Sequence, residues 1–296
     1  MSSTLQARQH SFKRLDAATV ERYWRDGYSF PHRAVSAAEA GTLRSKLEAH
    51  EARAGGPLNG SLRHKTHLLF PWLWDLVRNP GIVDSVEDLL GPNLLCWSTS
   101  FFIKEARDPA FVSWHQDATY WGLSSPDVVT AWVALSPSTL ESGAMRVVPG
   151  THAEQIKHRD TFREGNLLTR GQEVMVDIDG ASAVDLLLEP GEMSLHHVRL
   201  IHGSEPNRAA DRRIGFAIRY IPTSVRQTVG PRDSATLVRG VDEYKHFDAE
   251  PRPEHDMSEA ALALHREITQ RQAKILYAGT QVKSFDRTVQ TTKGTT

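Results

Sequence analysis

The chain of 296 residues holds a single cysteine, Cys96, so no disulfide can form within it and a small disulfide-stapled scaffold is excluded. It also lacks any run of about 18 apolar residues, the length a membrane-crossing helix needs. The opening MSSTLQARQHSFKRLD carries no apolar stretch of the kind that directs secretion. These absences give the expectation of a soluble, cytoplasmic protein with no membrane partner. An excess of charge of either sign is missing too: 35 Lys and Arg stand against 36 Asp and Glu, a formal net charge of -1. A nucleic-acid binder would show a dominant basic patch, and none is visible. No internal repeat or low-complexity linker breaks the chain. What is present is an ordinary globular composition, 40% hydrophobic and 24% charged, in a chain long enough to bury a core without staples.

The order of patterns gives an α-helical opening followed by a β-rich body. Residues 1–15 are polar and expected to be loose. A short helix is expected from Asp16 to Gly27, then a strand, then a second helix with Ser36 as N-cap. A third helical region is expected over residues 71–90, stopping at Gly91-Pro92. From Asn93 to about residue 225 the segments LLCWSTSFFIKEA, VVTAWVALSPS, AMRVVPG, VDLLLEPGEMSLHHV and RIGFAIRYIPTS are short runs of β-formers punctuated by Gly, Pro and Ser. Beyond Thr223 the chain reads as irregular and polar, ending in an amphipathic helix over residues 257–277 with Asp256 and Glu259 placed like a capping box. The expectation is one domain spanning 1–296: a helical opening over 16–92, a β-sandwich or barrel core over 93–225, and an extension over 226–296. The terminal helix is compatible with a monomer or a homodimer.

SWHQDATYW contains His115-Gln116-Asp117. On an extended strand, residues two apart share a face, so an imidazole nitrogen and a carboxylate oxygen can reach one ion. A third ligand is available at His202, in RLIHGSEPN. Two histidines and one carboxylate on one face leave open coordination positions opposite, the arrangement non-haem Fe(II) oxygenases use to bind a co-substrate and O2. The triplet alone decides little among 14 histidines. Arg213, eleven residues beyond His202 on the next β-run, adds more. Two adjacent strands joined by the Pro206-Asn207 turn would bring it into the same cavity, where a guanidinium can clamp a dicarboxylate. Ser204 shares the face of His202 and can add a hydroxyl, while Arg212 should point the other way. Ser98, Phe102 and Lys104 share one strand face before the metal strand.

Together these pieces, with YWRDGYSF, LLGPNLLCWSTSFFIKE and WVALSPSTLESGAMRVVPGTH, resemble the phytanoyl-CoA dioxygenase family of 2-oxoglutarate oxygenases over roughly residues 15–225. The resemblance implies a mainly β fold with flanking helices and a double-stranded β-helix (jelly-roll, cupin-like) core. It implies Fe(II) at His115, Asp117 and His202, with 2-oxoglutarate and O2 as co-substrates. Arg213 and Ser204 would hold the far carboxylate of 2-oxoglutarate, with Trp132 and Ser98 also placed at the co-substrate. His67, Phe102, Trp121 and His196 are placed at the pocket for a small-molecule substrate, although core packing explains the aromatic positions equally well. Because Asp117 is an acid, hydroxylation is expected rather than halogenation, in which a small residue vacates that coordination site. Segments 55–68 or 155–185 are expected to cover the pocket. Two other readings stay open: a cupin-type metalloenzyme of another reaction class, which would not need Arg213, and a non-catalytic metal-binding module.

Overall fold

The computed structural model describes residues 12–282, 284 and 285. Most of the expectation for residues 1–15 therefore lies outside the described residues, but its end is corrected. The backbone amides of Lys13, Arg14 and Leu15 all donate to the carboxylate of Asp88, and Leu15 is buried.

Five α-helices are present: α1 (Ala17–Asp26), α2 (Ala37–Ala54), α3 (Pro71–Leu76), α4 (Pro80–Leu90) and α5 (Glu259–Leu276). The first starts at Asp16, whose side chain accepts from the Thr19 amide, and stops at Gly27 in the left-handed region. Ser36 caps α2 through a full capping box with Glu39. The single helix expected over 71–90 is two. Pro80 has no amide hydrogen to continue the first helix and instead opens the second at its first position, with Asn79 as cap. The last helix starts later than expected. Its cap is Ser258 rather than Asp256, and Met257 sits at φ 55° just outside.

The strands are β1 (Tyr28–Arg33), β2 (Leu94–Lys104), β3 (Val112–His115), β4 (Val129–Ala134), β5 (Met145–Val148), β6 (His158–Asp160), β7 (Gln172–Val174), β8 (Val184–Leu186), β9 (Glu192–His197), β10 (Ile201–Ser204), β11 (Arg213–Pro222), β12 (Ser234–Arg239) and β13 (Asp248–Ala249). A seven-stranded sheet runs β1-β9-β4-β11-β2-β12-β13, antiparallel except for the last pair, and a four-stranded antiparallel sheet runs β3-β10-β5-β8. The inner faces pack together through Trp132, Ala134 and Ala217 of the large sheet and Met145, Val147 and Leu186 of the small one. This is the jelly-roll core. The strand β12 corrects the reading of everything past Thr223 as irregular, because it pairs with residues 94–96 inside the large sheet.

Both faces of the large sheet are covered, so its strands read as nearly continuous β-formers. Along β11, Ile214, Phe216, Ile218 and Tyr220 pack against Tyr23, Leu47, Leu73 and Val83 of the helices. The intervening Arg213, Ala217 and Arg219 face the interior between the sheets and line a cavity there. Gly215 keeps that inner row open, since a Cβ at this position would lie 1.8 Å from the Trp132 ring.

On the helix side, a fully buried polar cluster ties the extension to the body. The Lys65 ammonium donates to Glu250 Oε1 at 2.7 Å and to the Ser234 carbonyl at 2.6 Å. The His67 ring reaches Glu250 Oε2 at 3.1 Å and Thr99 Oγ1 at 3.0 Å. Burial pushes the Glu250 carboxyl up, but the Lys65 charge and the His67 bond outweigh it and hold the group well below the usual carboxylate range. His67 is thereby removed from the list of pocket residues. Its partner Thr99 belongs to the outward-facing set of β2, so the imidazole lies across the sheet from the interior. Removing one partner of a buried ion pair leaves an uncompensated charge, so Glu250→Ala should lower unfolding stability by about 3–5 kcal/mol in urea denaturation. A loss under about 1 kcal/mol would mean that Asp233, 3.7 Å from Lys65, takes over as counter-charge.

Candidate metal centre

The small sheet brings two imidazoles face to face. His115, at the end of β3, and His202, on β10, are direct cross-strand partners, with ring centroids 4.1 Å apart. His115 Nδ1 donates to the carbonyls of Ser113 at 2.9 Å and His202 at 3.0 Å. The Nδ1 of His202 donates to the Leu200 carbonyl at 2.9 Å. Both Nε2 atoms are left with lone pairs directed inward, the tautomer a metal requires. Asp117 supplies the carboxylate, with Oδ1 3.3 Å from His115 Nε2, and one ligand atom from each of the three residues lies within 4.8 Å of the others. All three are buried. The strand argument for Asp117 needs correcting: β3 ends at His115, and Asp117 opens a 3₁₀ turn (Asp117–Tyr120) that swings its carboxylate back toward the imidazole.

Burial pushes the His202 imidazole well below its usual pKa, reinforced by the adjacent His115. Burial also raises Asp117, but its close contact with His115 and the field of His202, His115 and Arg219 outweigh this and hold the carboxyl well below the usual carboxylate range. A carboxylate and two imidazoles converging in the interior form a donor set suited to a divalent cation with open positions.

The middle residue of the triplet, which the sequence reading passed over, holds the turn. Gln116 is fully buried and its amide nitrogen donates to the carbonyls of Glu154 at 2.7 Å and Arg199 at 2.6 Å. Its side-chain oxygen accepts from the Ile156 amide at 2.7 Å, and its own backbone amide donates to His158 Nε2 at 2.8 Å. The available signal was its position: between two inward-pointing ligands it points outward, and a buried amide there must be satisfied.

The triad opens on a cavity lined by Phe102, Trp132, His196, Ser204, Arg213 and Arg219 among others. Arg213 reaches it by a different route from the one expected. Its strand is not a neighbour of β10 but belongs to the facing sheet, and the guanidinium approaches across the sandwich. Nη1 donates to the Gly143 carbonyl, the side chain lies over the Trp132 ring at 5.3 Å from its centroid, and Nε has no partner among the described residues. Gly143 must be glycine for this, since its φ is +70° and a Cβ would fall 2.2 Å from the Glu205 carbonyl. Among the described residues, no carboxylate comes within ion-pair distance of Arg213. Arg212 points away, as expected, to Glu51 at 2.6 Å. Beside the cavity, Lys104 is paired in register with Arg213 and donates to Ser204 Oγ at 2.7 Å. Burial, then the charge of Arg213, pushes its ammonium down to about 6.

A second chamber shares Phe102, Asp117 and Arg219 with the first. Ser98, expected beside the co-substrate, lines this outer chamber instead and accepts from Gln272 Nε2 at 3.3 Å. Trp121 is here as well, packed on Trp97 with centroids 5.0 Å apart. The walls include Arg63 and His64 from one expected cover segment and Leu167 to Thr169 and Gln172 from the other. Gln272 and Leu276 show that α5 forms part of the wall.

The family model described as phytanoyl-CoA dioxygenase (PhyH) matches residues 23–215. A probable alpha-ketoglutarate-dependent hypophosphite dioxygenase from Stutzerimonas stutzeri is 31% identical over 160 residues, 52% of this chain and 54% of that protein. L-proline trans-4-hydroxylase from Streptomyces griseoviridis is 30% identical over 234 residues, 70% of this chain and 85% of that protein. The chain thus spans about half the length of the first relative and most of the second. Among solved structures, the apo form of ThoJ, a non-heme monooxygenase, is 38% identical with a TM-score of 0.78, over 87% of this chain and 97% of that one.

Two outcomes are expected from this geometry. Gln116→Ala should weaken binding of Fe(II) about 10–100-fold, as loss of an orienting partner does, and His202→Ala more than that. Metal affinity unchanged in His202→Ala, read by anaerobic titration, would remove His202 from the ligand set. Burial also pushes His158, His196, His197 and His265 down to about 4 each. An unfolded histidine titrates near about 6.5, so between that pH and 4 the unfolded chain takes up protons the folded chain refuses. Stability of the metal-free protein should therefore fall on acidification through this window. Equal urea midpoints at pH 7.5 and pH 5 would contradict it.

Proposed function

The chain belongs to the phytanoyl-CoA dioxygenase family of Fe(II)- and 2-oxoglutarate-dependent enzymes, which use O2, and on that footing we propose that it hydroxylates an unactivated C–H bond of a small metabolite or natural-product intermediate. The stoichiometry is one 2-oxoglutarate (alpha-ketoglutarate), one O2 and one substrate C–H giving succinate, CO2 and the alcohol. The reading assigns the iron to His115, Asp117 and His202, and the distal carboxylate of 2-oxoglutarate to Arg213 and Ser204, with Trp132 as the flank that holds the guanidinium in place. The 296 residues act as a single oxygenase domain.

The observation that carries this reading is Arg213. It is a fully buried cation whose Nε lacks a partner among the described residues, facing a metal-binding triad across a shared cavity. A buried unpaired charge is costly, and its natural complement is an anion that arrives from solution. A cupin-type site of another reaction class has no use for it. Bound iron with 2-oxoglutarate supplies the oxidising chemistry, while the chain's own residues orient and enclose. Arg213 fixes one end of the co-substrate, Lys104 holds the Ser204 hydroxyl in place, and the inner walls exclude water. Lys104 gains a second task with a dicarboxylate present. The added negative charge favours its protonated form, so the pair Lys104 and Arg213 then stands beside a matching double charge. The acid at position 117 fills the coordination site a halide would need, which supports hydroxylation over halogenation.

The test is anaerobic addition of Fe(II) and then 2-oxoglutarate, followed by its weak visible charge-transfer band, and aerobic detection of succinate. Arg213→Gln should cost 2-oxoglutarate affinity about 2–5 kcal/mol while Fe(II) affinity stays as in the parent. If the parent protein binds Fe(II) yet shows neither the band nor succinate, the oxygenase reading fails. If Arg213→Gln binds 2-oxoglutarate as tightly as the parent, the clamp assignment fails.

A further inference from the structure

The inner row of β11 carries a second buried arginine that the co-substrate site leaves unused. Arg213 and Arg219 are six residues apart on the same face of one strand, about 20 Å at the usual strand rise. The triad approaches from the opposite sheet, and both arginines line its cavity. One of them suffices for the distal carboxylate of a dicarboxylate co-substrate, so the other end of the row calls for its own explanation.

Arg219 is buried and its surroundings are built for a charge without supplying the opposite one. Nη1 donates to Ser100 Oγ at 2.8 Å, and Nε has no partner among the described residues. The guanidinium lies 5.4 Å from the Trp121 ring centroid and 5.8 Å from that of Phe102. Aromatic faces hold a cation in place but offer no acceptor to its N–H groups. Among the described residues, no carboxylate lies within ion-pair distance of Arg219. The charge of Asp117 is felt there, but that carboxylate is directed at the metal. The chamber beyond repeats the pattern. Its lining holds Arg63, His64 and Arg219, and its single acid is Asp117. Arg63 makes one long bond, 3.4 Å to the Phe101 carbonyl, and is likewise without an ion-pair partner among the described residues.

We propose that the outer chamber takes an anionic substrate, with a carboxylate or phosphonate head held by Arg219, Arg63 on its approach, and Trp121 and Phe102 packing the carbon skeleton. The proposal rests on the reading of the inner cavity as the iron and 2-oxoglutarate site. A planar guanidinium gives two parallel N–H donors to such a head group, and its enclosure by aromatic rings makes each bond stronger than it would be in water. Because Arg219 lines both chambers, the anchored end of the substrate lies beside the metal, and oxidation falls on a carbon close to the acidic group. A neutral analogue would leave Arg219 buried and unpaired, which is the larger part of the discrimination.

The experiment uses full-length protein loaded with Ni(II), which cannot turn over, and saturated with 2-oxoglutarate so that Arg213 is occupied. Benzoate, phenylphosphonate and benzamide are titrated by calorimetry. At least one of the two acids should bind tenfold or more tightly than benzamide, and which one it is separates a carboxylate site from a phosphonate site. Arg219→Gln should abolish that preference while 2-oxoglutarate affinity stays within twofold, and Arg219→Lys should keep part of it. Equal binding of acids and amide to the parent protein, failure of all three to bind included, overturns the proposal without reference to any variant. So does a preference that survives Arg219→Gln in protein whose thermal midpoint shows it folded. A matching loss of 2-oxoglutarate affinity in Arg219→Gln would assign the residue to the co-substrate and overturn it as well. If the Ni(II) protein fails to bind 2-oxoglutarate at all, it is the reading of the inner cavity that falls. The acid-versus-amide comparison then still reports on Arg219 by itself.

Discussion

Ionised groups buried without a fixed counter-charge among the described residues govern this molecule. Asp117, Arg213 and Arg219 sit between two closely packed sheets, yet among the described residues none is within ion-pair distance of a group of opposite permanent charge. Each such burial opposes folding by several kcal/mol per ion, even after relaxation. The fold tolerates it because the opposite face of the same strands is apolar and fully covered. On β11 the residues between the arginines are Ile214, Phe216 and Ile218, all buried against the helical layer. One strand therefore carries both the stabilising contacts and the strain of the site, separated only by the alternation of its side chains. Filling the cavity with a cation and an anion removes the conflict, so the bound state should be the more stable one.

A second buried charge system is solved in the opposite way. Lys65, His67, Asp233 and Glu250 satisfy one another, together with Ser234, Thr236 and Trp97. The cluster joins three parts of the chain that are distant in sequence: the segment before α3, the middle of β2, and the strands β12 and β13. Two of those parts also reach the chambers. The residues just before Lys65 include Arg63 and His64, and Trp97 of β2 packs on Trp121. A fully satisfied network of this kind fixes geometry, and here it fixes the walls of the outer chamber from behind.

The division between what was legible in the sequence and what was not follows from the range of the interactions. His115, Asp117, His202, Ser204 and Arg213 could be picked out because their spacing is short and each residue type has a defined chemical task. Helix starts at Asp16 and Ser36 were legible because capping is local. The places that misled are those where a distant partner decides. Alternation assigns Arg213 to a face, but which sheet that face belongs to depends on pairing β11 with β2 and β4 rather than with β10. His67 looked like a pocket residue because its partner Glu250 lies 183 positions away. SATLVR reads as loop until it is set against residues 94–96 at the sheet's edge. Gln116 was passed over, and Lys104 placed only on a strand face, for a related reason. Their importance lies in what they hold, carbonyl and hydroxyl groups from distant parts of the chain, and none of that is written in their neighbourhood.

The separation of the two chambers bears on which reaction the site performs. The triad and Arg213 come from β3, the turn after it, β10 and β11, and in the proposed reading they specify only the metal and the co-substrate. The outer chamber is assembled from different material: the segment before α3, the middle of β2, the turn at Trp121, the 167–172 stretch, Arg219 and the terminal helix. Whichever C–H bond meets the open coordination positions is set by these walls, because a positioned group a fraction of an ångström away reacts and a more distant one does not. The same inner site could thus serve several oxidations, and choice among them rests with residues that never touch the metal. Arg219, like Asp117 and Phe102, lines both chambers, and it lies on the same strand as Arg213. Through it, the register of one strand fixes the distance between the anchored end of a substrate and the ion that oxidises it.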